Sequence, residues 1–181
     1  YRAQVAAGRT LMLSSEDARK DSERFYPASR GRTVVVRFAV LPPAVDLHEP
    51  SRVLATYDLP ERFLYLPNQF WKHKNHAVVI DALGLLKARG VEVVVAASGN
   101  PNDTRHVHHY RSLVARVKSL GVEREFRMLG MIPYADVIRL TSLGLGVVNP
   151  SFFEGWSTTV EEAKALGAPL VLSDLAVHRE Q

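Results

Sequence analysis

The chain has 181 residues, of which 46% are hydrophobic and 23% are charged, and its formal net charge at pH 7 is +4. This composition is typical of a folded globular protein and excludes a disordered chain. Cysteine is absent, which excludes disulfides and thiolate chemistry and fits a reducing compartment such as the cytoplasm. No apolar run approaches the ~18 residues that span a bilayer. The basic residues form no stripe interleaved with aromatics, so we expect no nucleic-acid partner.

Three elements are predicted ahead of a proline-rich segment. The apolar residues 10–13 predict a short buried strand, and a helix follows that is capped by Ser14 or Ser15. Residues 33–38 predict a second strand. Residues 41–61 contain four prolines and no clean hydrophobic period, so we interpret them as a linker with at most one helical turn.

From residue 62 onward, apolar strands and amphipathic helices alternate. The strand patterns cover 62–67, 91–98, 126–130, 143–148 and 169–173, and the helix patterns cover 74–90, 105–121, 133–142 and 158–167. Because the strands are continuous apolar runs, they are typical of a parallel sheet covered on both faces. We therefore predict a doubly wound α/β domain at residues 62–181. The linker at 41–61 joins it to residues 1–40, the end of another α/β unit.

Four loops leave the predicted strands at their carboxyl ends, where open parallel sheets bind ligands. Their sequences are NQFWKHKN, SGNPND, GMIP and NPSFFEGWSTT. The loops supply the cations Lys72 and Lys74, flexible glycines that include Gly99 and Gly155, and free amides at helix starts. Together these groups suit a phosphate or diphosphate. Glu154 and Glu162 lie at the same edge, and carboxylates accept hydrogen bonds from sugar hydroxyls, so we predict a ligand with both phosphate and sugar.

Two adjacent acids in the helix predicted at 158–167 differ in their expected position. A step of about 100° per residue places Glu161 opposite the apolar stripe centred on Ala163, facing water. Glu161 also lies three residues after Thr158, as in a capping box. Glu162 lies at the rim where the helix start meets the strand ends. The helix dipole also stabilises an acid in the first turn, so a purely structural role for Glu162 stays the alternative.

The stretch NPSFFEGWSTTVEEAKALGAPLVLSDLAVHRE resembles the signature of glycosyltransferase family 4 (group 1), whose members are retaining, use nucleotide sugars and have the GT-B fold. The matching positions are Pro150, Ser151, Glu154, Gly155, Glu162, Ala163, Gly167, Pro169, Ser173, Asp174, His178, Arg179 and Glu180. The resemblance continues upstream through FLYLPNQFWKHKNH, ASGN and FRMLGMIP. It implies the Rossmann-like C-terminal, donor-binding domain of a GT-B enzyme, preceded by the end of the acceptor domain, with both ends of the protein missing.

The resemblance also implies a role for each candidate residue. Glu154 would contact the donor sugar and steady charge at the anomeric carbon, and Lys74 would neutralise the diphosphate leaving group. Glu162 would bind the ribose hydroxyls. The other donor-binding residues would be Gly155, Trp156, Ser157 and Thr158 through amides and hydroxyls, Gln69, Lys72 and Gly99 near the phosphates, and Met131 and Ile132 beside the nucleobase. Enzymes of this kind need no cofactor and no bound metal, because the basic side chain and helix amides neutralise the diphosphate in place of a metal ion.

Two positions depart from the family pattern. Gln69 stands where the family usually has Arg, so neutralisation of the phosphates would rest on Lys74 with help from Lys72. Ser157 replaces the second glycine of the family's E-G-F-G and narrows the space beside the sugar. The expected partners are a nucleotide-sugar donor and an unidentified acceptor, which is a glycan, a lipid or a small molecule. Peripheral membrane contact through the missing domain stays open.

The same residues leave other functions open. Gln69 favours a non-catalytic nucleotide-sugar-binding module, whereas a sugar-nucleotide epimerase, which shares the GT-B architecture, needs further acid/base residues. Metal binding by His106 and His108 is disfavoured, because residues two apart on a helix point in nearly opposite directions. We expect the isolated chain to bind its donor weakly and to turn nothing over.

Overall fold

The computed structural model describes residues 1–46 and 50–181, which contain two parallel sheets surrounded by helices. The strands are β1 (Leu11–Leu13), β2 (Thr33–Val35), β3 (Leu64–Pro67), β4 (Val95–Ser98), β5 (Phe126–Gly130), β6 (Val147–Asn149) and β7 (Leu170–Leu172). The helices are α1 (Arg2–Ala6), α2 (Glu16–Phe25), α3 (Pro50–Thr56), α4 (His76–Ala88), α5 (His109–Leu120), α6 (Tyr134–Leu143), α7 (Thr158–Ala165) and α8 (Ala176–Glu180). In this described part of the chain, no helix is long and apolar enough to cross a membrane.

The larger sheet has five parallel strands in the order β5-β4-β3-β6-β7, with β3 and β6 paired at its centre. Alternate residues of a strand point to opposite faces, and here each face has its own core. Leu66 and Ala97 pack with α4 and α5, whereas Tyr65 and Ala96 pack with α3 and α6. The prediction of an α/β fold with helices on both faces is confirmed. The strand predicted at 91–98 forms only in its last four residues, which are all buried.

The smaller sheet pairs β1 with β2 in parallel, and it meets the larger unit through the end of α8. The Glu180 carboxylate accepts hydrogen bonds from the amide of Glu16 at 2.9 and 3.0 Å and forms an ion pair with Arg37 at 2.5 Å. Glu16 is the first residue of α2, whose opening amides lack partners within the helix. Glu180 therefore caps α2 from the opposite unit. The domain boundaries given above stay a prediction.

Part of the predicted linker is helical. The helix α3 has seven residues, more than the single turn expected from the prolines around it. Pro50 is its first residue, where a missing amide proton costs no helical hydrogen bond. Val53 and Leu54 are buried in the core on one face of the larger sheet. The expectation of at most one turn was wrong, because burial of these two side chains stabilises the helix despite its local composition.

The helix predicted at 105–121 begins only at His109. Before it, Asp103 is buried, and its carboxylate accepts hydrogen bonds from the amides of Lys72 at 3.1 Å and Arg105 at 3.0 Å. These contacts hold the chain in a turn ahead of the helix. The start predicted from the hydrophobic pattern was wrong because a contact with a distant loop outweighs the local pattern.

Glu161 is buried, so its predicted exposure was wrong. The residue is 6% exposed, and its Oε1 accepts hydrogen bonds from Lys164 Nζ at 3.1 Å and from Gln181 Nε2 at 3.0 Å. The cap of α7 is Ser157, whose Oγ accepts a hydrogen bond from a first-turn amide, so the capping box expected from Thr158 was also wrong. Gln181, which follows α8, covers the side of α7 that the helical pattern predicted to face water.

We expect His76 to make the stability of the fold depend on pH. This first residue of α4 is fully buried and stacks on Phe70 with ring centroids 4.6 Å apart, and burial lowers its pKa from 6.5 to about 3. The unfolded chain binds a proton below pH 6.5, whereas the folded chain does not. The free energy of unfolding therefore keeps its full value above pH 6.5 and falls as the pH drops towards 3. The expected loss between pH 6.5 and 5.5 is about 1 kcal/mol.

Urea unfolding at pH 7.5, 6.5 and 5.5 measures this dependence. His76→Gln removes the titrating group, so it should flatten the slope on the acid side even though it lowers stability at pH 7.5. His108→Gln, a matched change at an exposed position, should leave the slope unchanged. Equal slopes in the wild type and His76→Gln would contradict the assignment.

Candidate functional site

A buried amide at the end of β6 holds the loops at the carboxyl edge of the larger sheet. Asn149 is 0% exposed, and its Nδ2 donates to Ser157 Oγ at 2.9 Å. Its Oδ1 accepts hydrogen bonds from Ser151 Oγ at 2.7 Å and from Asn68 Nδ2 at 3.3 Å. These partners lie after β3, after β6 and at the start of α7. Sequence reasoning missed Asn149, although a polar residue that ends an apolar strand at this edge is a usable signal.

The predicted catalytic residues Lys74 and Glu154 form a largely buried ion pair. Lys74 Nζ lies 2.6 Å from Glu154 Oε1, and the two side chains are 13% and 9% exposed. Ser151 Oγ also lies 2.7 Å from Glu154 Oε1, and Asn75 Nδ2 donates to the Pro150 oxygen at 3.1 Å, which joins the same two loops. Taking two charges out of water offsets much of their attraction. An anion that takes Lys74 therefore leaves the largely buried Glu154 carboxylate without its partner, which is costly unless another positive charge replaces the ammonium.

A cavity of about 270 Å³ opens at the same edge of the sheet, and we call it the edge cavity. Six of its lining residues belong to the predicted donor site: Gln69, Gly99, Met131, Ile132, Thr158 and Glu162. Pro67, Ser98, Tyr134, Val137 and Thr159 also line it. The loops after β3, β4 and β5 and the start of α7 thus meet around one space, as the position of the strand ends predicts.

Glu162 faces the edge cavity with one oxygen already fixed. Tyr134 OH donates to Glu162 Oε1 at 2.7 Å, whereas Oε2 has no hydrogen-bond partner among the described residues. Burial raises the pKa of Glu162, and the hydrogen bond from Tyr134 opposes that rise. Burial and the same carboxylate raise the pKa of Tyr134 to about 12, so its hydroxyl is a donor at physiological pH. Sequence reasoning missed Tyr134, because only the folded chain brings α6 beside α7.

The floor of the edge cavity is closely packed backbone. A Cβ atom on Gly99 would lie 2.3 Å from the backbone oxygen of Asn68, closer than atoms in proteins approach. The amide of Gly99 donates to the Gly130 oxygen at 2.8 Å. The loops after β3, β4 and β5 therefore touch at Gly99, and glycine is needed there for space.

Six of the predicted residues do not line the edge cavity: Lys74 and Glu154, which form the ion pair, and Lys72, Gly155, Trp156 and Ser157. The oxygen of Gly155 accepts a hydrogen bond from Ser14 Oγ at 3.0 Å, and Trp156 Nε1 donates to the Phe38 oxygen at 2.9 Å. Both contacts reach the smaller sheet unit. Lys72 is exposed and lines a different pocket.

Two groups that the resemblance assigned to the phosphates are hydrogen-bonded within the chain. The amide of Ser157 donates to Gln181 Oε1 at 3.1 Å. Gln69 Oε1 accepts a hydrogen bond from the amide of Asn100 at 2.6 Å. A ligand phosphate at Ser157 would have to displace the Gln181 side chain, and Gln69 contributes to loop structure in addition to lining the cavity.

Among the described residues, no three His, Asp or Glu side chains are grouped as a metal ion would require. The reason given for separating His106 from His108 was wrong, because both residues precede the first turn of α5. Metal independence thus stays a prediction that rests on the family resemblance.

The sheet order, the helices on both faces and the cavity at the strand ends define a doubly wound α/β domain. Within this class, the chain belongs to the family of glycosyl transferases group 1, whose model matches residues 52–181. The match begins inside α3, in agreement with the packing of that helix on the larger sheet. No curated protein sequence matches the chain.

Solved structures share the fold. A glycosyltransferase from Rickettsia africae superposes with a TM-score of 0.79 at 17% identity, covering 93% of this chain and 45% of that one. HepE from Anabaena, in complex with UDP and glucose, superposes with a TM-score of 0.78 at 18% identity, covering 99% of this chain and 49% of that one. Sucrose-phosphate synthase from Thermosynechococcus elongatus superposes with a TM-score of 0.71 at 16% identity, covering 91% of this chain and 40% of that one. These likenesses confirm the Rossmann-like GT-B fold. The chain spans less than half the length of each of these three proteins.

We expect Asn149→Ala to lower the free energy of unfolding by about 2–4 kcal/mol, because Ser151, Ser157 and Asn68 lose a buried partner. Urea unfolding at pH 7.5 measures this loss. Asn102→Ala, at an exposed position, is the matched control and should change stability by less than about 0.5 kcal/mol. A similar small change in both variants would show that the network around Asn149 does not hold the edge.

A second stability test concerns the two glycines of the site. Gly99→Ala forces a methyl group against the Asn68 oxygen, and we expect a loss of about 1–3 kcal/mol. Gly155→Ala places its methyl group 3.7 Å from Ser14 Oγ, an ordinary contact, and should cost less than about 1 kcal/mol. Thermal melts of both variants test the contrast, and the reverse order would contradict the packing described for the cavity floor.

Proposed function

We propose that this chain is the donor-binding part of a retaining hexosyltransferase of glycosyltransferase family 4. The enzyme transfers a hexose from a nucleoside-diphosphate sugar to an acceptor hydroxyl and keeps the anomeric configuration. One observation carries the proposal: the edge cavity, lined by Glu162, lies at the same sheet edge as the buried pair of Lys74 and Glu154. Membership of the glycosyl transferases group 1 supports it.

The edge cavity takes the nucleoside. The free Oε2 of Glu162 accepts hydrogen bonds from the ribose hydroxyls, while Tyr134 holds the other oxygen in place. Met131 and Ile132 offer apolar contact and backbone atoms to the base, and Met131 is 67% exposed at the mouth. HepE, which shares the fold, was solved with UDP and glucose, which supports a nucleotide-sugar donor.

Lys74 and Glu154 serve the reacting end of the donor. The diphosphate attracts the Lys74 ammonium, which neutralises the leaving group, and the start of α7 adds its dipole. Glu154, released from Lys74, faces the sugar and stabilises the positive charge that develops at the anomeric carbon. The acceptor oxygen bonds to this carbon as the bond to the diphosphate oxygen breaks, and the acceptor proton leaves with the diphosphate. Lys74 and the helix start replace a metal ion in this scheme.

A non-catalytic nucleotide-sugar-binding module is the second candidate. Gln69 favours it, because the side chain is neutral and is bound to the amide of Asn100 at 2.6 Å. Both candidates bind the donor through Glu162, and they differ in the need for Glu154. A binding module tolerates loss of that carboxylate, whereas a transferase needs it for bond cleavage.

Isothermal titration of the chain with UDP, GDP and ADP and their hexose conjugates, in EDTA, tests the donor site. We expect one nucleotide to bind in preference to the others. Glu162→Gln and Lys74→Ala should each weaken it about tenfold or more, because each removes one charge-assisted contact. Glu92→Gln and Lys118→Ala, at exposed positions, are the controls and should bind as the wild type does.

Equal binding of the nucleotide by the wild type and Glu162→Gln would refute the site as described. The same samples, incubated with the hexose conjugate, should release no sugar, because the acceptor domain closes the active site of a GT-B enzyme. The cytoplasmic location expected from the sequence stays a prediction, and peripheral membrane contact stays open.

A further inference from the structure

A second pocket lies at the same edge of the sheet and shares no lining residue with the edge cavity. Its volume is about 330 Å³, and it is lined by Lys72, His73, Arg105, His106, Phe152 and Phe153. We call it the basic–aromatic pocket. The donor site described above uses only Lys72 among these residues, so the pocket is largely unassigned.

The aromatic side of the pocket is exposed. Phe152 and Phe153 are 64% and 60% exposed, so the described chain leaves most of both side chains uncovered. The amide of Phe152 donates to the His73 oxygen at 2.8 Å, and the His73 and Phe153 rings lie 4.9 Å apart. The two loops are thus held together, and a fixed apolar surface of this kind marks a contact site for a ligand or partner.

The charged side of the pocket has two cations, of which Arg105 forms one ion pair, with Asp103. None of the described lining residues is acidic. The nearby Asp103 is only 3% exposed and accepts hydrogen bonds from two backbone amides. Arg105 has a 59% exposed side chain whose Nε lies 3.4 Å from Asp103 Oδ1 and whose guanidinium lies over the Trp71 ring at 5.5 Å. Its terminal nitrogens have no hydrogen-bond partner among the described residues.

Lys72 and Arg105 are therefore the cations that an incoming anion meets. Burial, and then the charge of Lys74, lowers the pKa of His73, which keeps this imidazole neutral at physiological pH. A guanidinium with free terminal nitrogens binds phosphate oxygens in pairs. The pocket offers this group next to two exposed aromatic rings.

We propose that the basic–aromatic pocket binds an organic phosphate with an attached apolar chain, and that this phosphate belongs to the acceptor. The acceptor role rests on the proposed function. His73 directly precedes Lys74 and Phe153 directly precedes Glu154, so the two loops that line this pocket also carry the proposed catalytic pair. The nucleoside has its own space in the edge cavity. A neutral polyol would bring no negative charge to the free terminal nitrogens of Arg105.

Titration of the chain with n-octyl phosphate, inorganic phosphate and n-octyl glucoside, each below its micelle-forming concentration, tests the pocket. We expect n-octyl phosphate to bind more tightly than inorganic phosphate, which lacks the apolar chain, and more tightly than n-octyl glucoside, which lacks the phosphate. Arg105→Gln should weaken that binding about tenfold, and Phe153→Ser should also weaken it. Arg89→Gln, at an exposed position at the end of α4, is the control and should have no effect.

Vesicles of phosphatidylcholine with and without phosphatidic acid distinguish the two sources of the phosphate. Binding to phosphatidic acid vesicles that depends on Arg105 identifies a lipid headgroup, whereas binding of n-octyl phosphate alone identifies a small soluble acceptor. Either result supports the phosphate site. Equal binding of n-octyl glucoside, no effect of Arg105→Gln, or displacement of n-octyl phosphate by UDP would overturn it.

Nucleotide binding keeps this inference separate from the proposed function. Arg105→Gln should bind the preferred nucleotide as tightly as the wild type, because Arg105 lies outside the edge cavity. A chain that binds n-octyl phosphate but no nucleotide would refute the donor site alone. A chain that binds the nucleotide but not n-octyl phosphate would refute the basic–aromatic pocket alone.

Discussion

The buried side-chain amide of Asn149 is the contact on which the carboxyl edge of the larger sheet depends. It ends β6, the inner strand next to the central β3, where polar groups are cut off from water and must find partners inside the protein. It donates to Ser157 and accepts from Ser151, which lie at the two ends of the loop that carries Glu154. One side chain thus sets the span of that loop, and the hydrogen bond from Asn68 places the loop against the end of β3.

The alternation of strands and helices was predictable because both patterns are local. Apolar runs and 3.6-residue periods are read over about ten residues, and the burial that follows from them is the same wherever the element lies. The failures are the places where a distant contact outweighs the local pattern. Glu161 is buried by Gln181, twenty residues further along the chain. The start of α5 is delayed by Asp103, whose carboxylate is bound to the amide of Lys72.

The meeting of the candidate residues at one sheet edge was predictable from the sequence, but their arrangement there was not. Parallel strands bring all their carboxyl ends to one edge, so loops far apart in sequence were expected to meet there, and six of the predicted residues do line one cavity. The partners within the site depend on side-chain positions that spacing does not reveal. Lys74 and Glu154 lie 80 residues apart, and Tyr134 and Glu162 lie 28 residues apart. Both pairs exist only because the folded sheet brings their loops together.

The pairing of Lys74 with Glu154 has a consequence for the proposed reaction. With no anion bound, each charge is the other's counter-ion, at 2.6 Å and with little exposure to water, so neither is left buried and unpaired. A diphosphate that takes the ammonium removes the partner of the carboxylate. The unpaired carboxylate is then stabilised by positive charge on the sugar, which develops only as the leaving group departs. In the proposed reaction, donor binding therefore turns a structural ion pair into a site that favours the charge of the transition state over that of the bound substrate.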